Sequence, residues 1–246
     1  MVDDSVQISV DEAISLLVNE PVRNLPLINL LKLYPKYVSS IHRVGDAVII
    51  RRSQEVNWTS ISYCSENNFK KVLQNITDDD LVFDCLETKY FDLLKGNSEV
   101  EWFAHANMII LPDDVQVGEP SHEVASLTLN DADIVNDYWE YKIDNTLDYV
   151  KHQIENDISA SIRIDGRLVA WGMMHDVGAI GFLYVMEECR GQGHAKSLMS
   201  QLINDLRFQK RTPFAFVAVE NERSHTLSRK LGFVDSGKYS WMKLVR

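Results

Sequence analysis

The chain has 246 residues and a mass of 28.2 kDa, enough for one large domain or two small ones with sizeable cores. Hydrophobic side chains make up 45% and charged ones 25%, near the average for soluble globular proteins, which excludes disordered, collagen-like and low-complexity classes. The 25 Lys and Arg against 36 Asp and Glu give a formal net charge of −11, which repels a phosphate backbone and argues against nucleic acid as a partner.

The three cysteines, Cys64, Cys85 and Cys189, are odd in number and widely spaced, with no CxxC pair and no His at ligand spacing. They read as reduced, buried thiols, and no metal is expected. No run of about 18 apolar residues is present to span a bilayer. The opening MVDDSVQISVDEA is acidic, where a secretory or mitochondrial leader is basic. The expectation is a soluble chain in a reducing compartment such as the cytosol, with no membrane partner.

In the first half, helices are expected over residues 11–19, 25–33, 66–75 and 90–95. Strands are expected at AVIIRR from Ala47, WTSISYC from Trp58 and LVFDCLE from Leu81, runs dense in β-branched and aromatic residues. His42 and His105 stand alone and read as satisfied polar groups near a core. The run Asp78 to Asp80 reads as a solvated turn, because three consecutive carboxylates point in different directions. The stretch LPDDVQVGEPS, residues 111–121, is punctuated by Pro112, Gly118 and Pro120 and marks a boundary between domains at 1–115 and 120–246. Residues 1–120 carry 10 basic and 19 acidic side chains, whereas residues 121–246 carry 15 and 17. The second half is therefore the better host for an anion.

Beyond the boundary, SHEVASLTL reads as a strand, and DADIVNDYWEY and NTLDYVKHQIEND read as helices capped by Asn130 and Asn145. ASIRIDGRLVAWGMM alternates around Asp165-Gly166, a hairpin signal, and AIGFLYVME supplies the next strand. Ala195, Leu198, Met199, Leu202, Ile203 and Leu206 then fall on one helical stripe. PFAFVAVE is a strand, NERSHTLSRKLG a helix, and FVDSGKYSWMKLV a terminal hairpin around Ser236-Gly237. No internal repeat of fixed period is visible. The fold class is α/β, with a mixed (α+β) sheet.

Arg190-Gly191-Gln192-Gly193-His194-Ala195 sits where a strand ends and an amphipathic helix begins, so unpaired amides and the positive helix terminus converge on it. Glycine at 191 and 193 lets a phosphate approach those amides, and Arg190 adds positive charge. No GxxxxGK[ST] occurs, nor a GxGxxG with an acidic residue about 20 positions onward.

This segment resembles the [RQ]-x-x-G-x-[GA] signature of the GNAT superfamily of acyl-CoA-dependent N-acyltransferases, with Arg190, Gly193 and Ala195 at its fixed positions. Asn221 followed by a helix ending in Leu231-Gly232-Phe233 resembles a second element of that superfamily, in the right order and separation. Within it the chain is most similar to the glycine N-acyltransferase-like group, on three features: a preceding domain of over 100 residues, VNDYWEYK at 135–142, and SEVEWFAHANMII near the end of the first domain.

The resemblance implies a GNAT fold in the C-terminal half, preceded by a smaller, degenerate GNAT-like α/β domain that helps close the acceptor site. It implies acetyl-CoA or another acyl-CoA as co-substrate, and glycine or a related small amine as acceptor. Leu183, Tyr184 and Val185 would pair with the pantetheine arm from a splayed strand. The amides of Gly191, Gln192, Gly193, His194 and Ala195 would take the diphosphate. Asn221 and Ser224 would lie near the thioester, Lys230 near the cofactor, and the Val185 amide would serve as oxyanion donor. Many members carry a tyrosine acid where this chain has Ser228, and the carboxylate base proposed for the glycine-conjugating branch falls at Ala179. His175, Asp176, Glu187 and Glu188 are the nearest replacements. Acetylation of a protein N-terminus, a lysine or a polyamine is the alternative activity. A CoA-binding module without turnover is the alternative outside catalysis.

Overall fold

The computed structural model describes residues 5–53, 57–142 and 145–245, so the first four residues of the acidic opening lie outside it. The elements run β1 (Ser5–Gln7), α1 (Val10–Leu17), α2 (Leu25–Leu33), β2 (Val38–Val44), β3 (Ala47–Arg52), β4 (Trp58–Ile61), α3 (Glu66–Leu73), β5 (Val82–Glu87), α4 (Phe91–Lys95) and β6 (Glu99–Ile110). They continue α5 (Ala132–Asp137), α6 (Thr146–Asn156), β7 (Ser159–Ile164), β8 (Arg167–Met174), β9 (Ile180–Val185), α7 (His194–Phe208), β10 (Phe214–Ala218), α8 (Glu222–Leu231) and β11 (Val234–Val245). From α1 onward the chain passes twice through one order: two helices, three strands, helix, strand, helix, strand. No described helix is long and apolar enough to cross a membrane.

Two compact units result. The first holds Met1–Met108, Val217–Glu220 and Ser236–Arg246; the second holds Ile109–Phe216 and Asn221–Asp235. A single cut at 115–120 therefore does not separate them.

In the first unit the strand order is β1-β2-β3-β4-β5-β11-β6. Its α1 begins with a reciprocal cap: the Glu12 amide donates to Ser9 Oγ (3.3 Å) and the Ser9 amide donates to Glu12 Oε2 (2.8 Å). Ile49, Phe69, Val72, Phe83, Leu86 and Met242 form the core, with the rings of Phe69 and Tyr90 stacked at 4.0 Å. The segment expected to be a terminal hairpin is instead one continuous strand. Met242 pairs with Phe83 and Lys243 with Val82, which buries Met242 and Leu244 on this core; a turn at Ser236-Gly237 would forfeit that burial.

Asp80 also departs from the solvated-turn expectation. It is 3% exposed and takes two 2.7 Å bonds from Arg51, one from Thr59 Oγ1 (2.6 Å) and one from the Thr77 amide (2.8 Å). This pairing holds its carboxyl down at about 2 against the opposing effect of burial. His105 Nδ1 lies 2.8 Å from Ser240 Oγ and His42 Nδ1 lies 3.3 Å from Arg51.

In the second unit β7, β8 and β9 form an antiparallel meander, and β9 pairs in parallel with β10. The Asp165-Gly166 turn joins β7 to β8. Helix α7 buries Leu198, Leu202, Ile203 and Leu206 completely, the apolar stripe of its sequence. SHEVASLTL makes only an isolated bridge, Ala125 to Ser161, and buries Leu127. Thr128, not Asn130, caps the next helical turn, in a box with Asp131. That helix stops at Asp137 rather than continuing through Tyr141. Asn145 precedes α6 at φ +62 with no side-chain cap; its carbonyl accepts from Asp148 and Tyr149.

Candidate functional site

The loop from β9 to α7 has eight residues, 186–193. A single 3₁₀ turn, Glu187–Cys189, begins it, and Gly191 (φ +79) and Gly193 (φ +88) adopt left-handed conformations that disfavour residues with a Cβ. A Cβ on Gly191 would meet nothing within 4 Å, so the loop has open space there. The first bond inside α7 runs from the Ser197 amide to the Gly193 carbonyl, and α7 has no side-chain cap. The preceding amides therefore have no helical acceptors, and they carry the positive end of a 15-residue helix.

Arg190 braces this loop. Its Nε donates to the Val185 carbonyl (3.1 Å), its Nη1 pairs with Glu187 (2.8 Å), and the guanidinium lies 5.6 Å from the centre of the Tyr184 ring. Gln192 Nε2 lies 3.4 Å from the Glu188 carbonyl. Glu188 is exposed and paired with Arg167 at 2.7 Å, an interaction that lowers its pKa after the effect of backbone hydrogen bonding.

The strand before the loop is irregular in two ways. The β8–β9 register shifts between Trp171 and Met173, opposite Phe182, which has φ +52. On its other side β9 is in register with β10 at one residue pair, Ile180 with Ala215. Leu183, Tyr184 and Val185 are half-buried and lie beyond the end of that ladder, with Tyr184 and Val185 in register with Trp171 and Ala170 of β8 on the other side.

The α8 residues are arranged around their own helix. Asn221 Oδ1 accepts from the Ser224 amide (3.0 Å), an N-cap. Ser228 Oγ is buried and donates to the Ser224 carbonyl (2.8 Å), which occupies the proton an acid would supply. Lys230 is exposed. Ala179 is fully buried, so no carboxylate stands at that strand entrance.

Two histidine clusters complete the site. His194, first residue of α7, is 4% exposed with both ring nitrogens unpartnered. It packs edge-on to His122 at 4.4 Å, and His122 Nδ1 lies 2.9 Å from Ser197 Oγ. Burial, then the neighbouring His122, lowers its pKa.

His175 begins the turn between β8 and β9. The Tyr149 hydroxyl lies 3.2 Å from its Nδ1 and 3.3 Å from Asp176 Oδ1, and accepts from the Asp176 amide at 3.1 Å. Trp139, Tyr149 and Phe182 surround the ring at 5.5, 6.3 and 4.7 Å. Burial among them pushes the imidazole down to about 4, opposed by the charge of Asp176. Sequence reasoning finds His175 and Asp176 but misses Tyr149, His122 and Trp139, whose contacts are tertiary and leave no mark in local spacing. Among the described residues no cluster of His, Cys, Asp and Glu could hold a metal ion.

This fold is the GNAT acetyltransferase fold. A GCN5-related N-acetyltransferase from Sphaerobacter thermophilus superposes with a TM-score of 0.60 over 100% of this chain and 97% of its own, at 11% identity. A GNAT-family acetyltransferase from Colwellia psychrerythraea gives 0.55 over 98% and 99%, at 13% identity. An X-ray structure of a Drosophila protein is similar along 98% of both chains, with a TM-score of 0.83 and 20% identity. More narrowly, residues 162–242 match the family model of FR47-like proteins. No curated protein matches the chain by sequence.

Proposed function

We propose that the chain is an acyl-CoA-dependent N-acyltransferase whose acceptor is glycine or a related small amine. The observation that carries this is the divergence of β9 from β10 after one residue pair, directly before a glycine loop and an uncapped 15-residue helix. An extended amide-bearing arm fits the free edge of Leu183–Val185 by strand addition. A diphosphate fits the amides of Gly191 to Ala195, where the helix terminus favours negative charge. Asn221 and Ser224 would border the thioester end from α8, and Lys230 would lie near the cofactor.

The protein's part in the reaction is to align an amine with the thioester carbonyl, stabilise the developing oxyanion with a backbone donor such as the Val185 amide, and take up the proton. His175, Asp176 and Glu188 are the candidates for that proton. Glu188 is the weakest, since Arg167 already holds it at the surface. Glycine as acceptor draws its support from the sequence resemblance, and a small acceptor suits direct attack in a ternary complex.

A thiol-release assay over a panel of acyl-CoAs, with and without glycine, other amino acids, polyamines and a lysine peptide, tests the reading. Glycine-dependent release supports it. Release only with the peptide or polyamine replaces the acceptor. Tight acyl-CoA binding without release from any pair overturns catalysis and leaves a binding module.

A further inference from the structure

We propose that Tyr149 is a positioning residue that holds His175 in the tautomer with a free Nε2 lone pair, and that this nitrogen takes the proton of the attacking amine. The proposal rests on the acyltransferase reading and adds the proton acceptor and the residue that orients it.

Hydrogen-bond valence assigns the tautomer. A phenol has one proton to donate and two lone pairs to accept with. Among the contacts of the described residues, the Tyr149 hydroxyl has three within 3.3 Å: the Asp176 amide, Asp176 Oδ1 and His175 Nδ1. The amide can only donate, and an ionised carboxylate can only accept. The phenolic proton therefore goes to Asp176, and His175 Nδ1 must donate to the phenol oxygen. All three contacts are then satisfied at once. The other tautomer would set two bare oxygens against each other at 3.3 Å.

The consequence is an imidazole whose Nε2 carries no proton and has no hydrogen-bond partner among the described residues. This nitrogen lies close to Gly181, where a Cβ would approach it to 2.2 Å. Gly181 is one residue before the φ-positive Phe182 and two before the free edge at Leu183. The His175 ring is thus held at the distorted end of β9 by packing against Phe182 and Trp139. Among the described residues, the titratable groups facing it are Tyr149 from α6 and Asp176 from its own turn, and β9 contributes Gly181 and Phe182. Burial keeps the ring neutral above about pH 4, so the Nε2 lone pair is present without prior deprotonation, at the cost of basicity.

The step balances. The amine lone pair forms the C–N bond and the C–S bond breaks. The amine proton passes to Nε2 and then to the departing thiolate sulfur, giving amide and thiol. While the imidazolium exists, its Nδ1–H remains on the Tyr149 oxygen and the Asp176 carboxylate offsets its charge.

Nitrogen-15 NMR of the intact protein is expected to show His175 protonated at Nδ1 and bare at Nε2, with that preference lost in Tyr149→Phe. Proton occupancy of Nε2 in the native protein overturns the assignment, and this readout needs no turnover. Kinetically, His175→Gln should lower kcat about 100-fold. Tyr149→Phe should lower it about 10-fold, with the acyl-CoA KM unchanged in both. Gly181→Ala, whose methyl displaces the imidazole while sparing Tyr149 and Asp176, should match His175→Gln. Wild-type kcat in His175→Gln and Gly181→Ala overturns the proton-acceptor role. If native protein releases no thiol with any amine, that role falls with the acyltransferase reading, and the tautomer measurement still decides what Tyr149 does.

Discussion

The same strand-to-helix connection occurs once in each unit, and the two copies differ in every feature that makes a binding site. In the first unit β4 reaches α3 through four residues, 62–65, and all four are tied down. Ser62 Oγ accepts from the Val48 amide (2.8 Å), the Tyr63 amide donates to Asn24 (3.0 Å), the Cys64 carbonyl accepts from Tyr90, and the Ser65 amide donates to Asp46 (3.3 Å). Ser65 then caps α3 through the Asn68 amide, and β4 stays zipped to β5 over three residue pairs. In the second unit the connection has eight residues and two left-handed glycines, α7 has no side-chain cap, and the β9–β10 ladder holds at one pair. Donors satisfied internally make a wall. The same donors left without partners make a place for a ligand.

Two substitutions break this contrast most strongly. Asp80→Ala removes the partner of a mostly buried Arg51, an Arg 21% exposed at its side chain, and should destabilise the protein by about 3 kcal/mol in denaturant titration. The acyl-CoA affinity of the folded fraction should not change, because Asp80 lies far along the chain from the glycine loop and the donors of the 62–65 connection are engaged within its own unit. Gly193→Val acts the opposite way. A β-branched residue at φ +88 must rearrange the loop, so acyl-CoA affinity should fall about 100-fold, or about 2.7 kcal/mol, by calorimetry. Undiminished affinity in a folded variant would remove the diphosphate assignment.

Much of this contrast can be read from the sequence, but not all of it. Gly191 and Gly193 before a six-residue apolar stripe announce the loop and its helix, because turn chemistry and helical period are local. Ser65 before Glu66 announces nothing about α3 being closed; that depends on Asn24, Asp46 and Tyr90, each far away in sequence. Asp80 looks like one of three solvated carboxylates, and only the pairing of β3, β4 and β5 brings Arg51 and Thr59 to it. The last strand is misread for the same reason. Ser236-Gly237 is a good turn signal, and burial of Met242 and Leu244 outweighs it. Tyr149 sits on α6 with no distinguishing neighbour in sequence, so the group that orients His175 becomes visible only when α6 meets the β8–β9 turn.

Acid should separate the two units by the pH window in which each loses stability. His175 titrates near 4 in the fold against about 6.5 when unfolded, so the unfolded chain binds the extra proton and stability falls as pH drops from 6.5 toward 4. The loss should reach about 3 kcal/mol and centre on β8 and β9. Asp80, held at about 2, contributes stability that persists down to pH 4 and is lost only below it. Hydrogen exchange corrected for intrinsic rates should therefore show the β8–β9 amides opening first between pH 6.5 and 4. Earlier opening of β4 and β5 would count against the His175 assignment. A smaller effect is expected from Ser65→Ala, about 1 kcal/mol of stability from the lost α3 cap with no change in acyl-CoA binding.

The smallest effect concerns the one cysteine in the open connection. Cys189 is buried at 8% exposure and closes the 3₁₀ turn through its amide bond to the Met186 carbonyl at 2.9 Å. That contact is made by backbone, so alanine can keep it. A thiol that carried the acyl group would need a nearby base to make it a thiolate and access for the thioester. No hydrogen bond from its sulfur is seen among the described residues, and its neighbours Glu187 and Glu188 are engaged with Arg190 and Arg167. Cys189→Ala should therefore retain wild-type kcat within about twofold, since direct attack of the amine makes no use of the sulfur. The first unit offers a matched control in Cys64, also in a strand-to-helix connection, whose thiol burial pushes up to about 11. Neither cysteine should trap label when the protein is quenched in acid during turnover with a radiolabelled acyl-CoA. Stable label on Cys189 would replace direct transfer with an acyl-enzyme, and would mean that the open connection binds and also reacts.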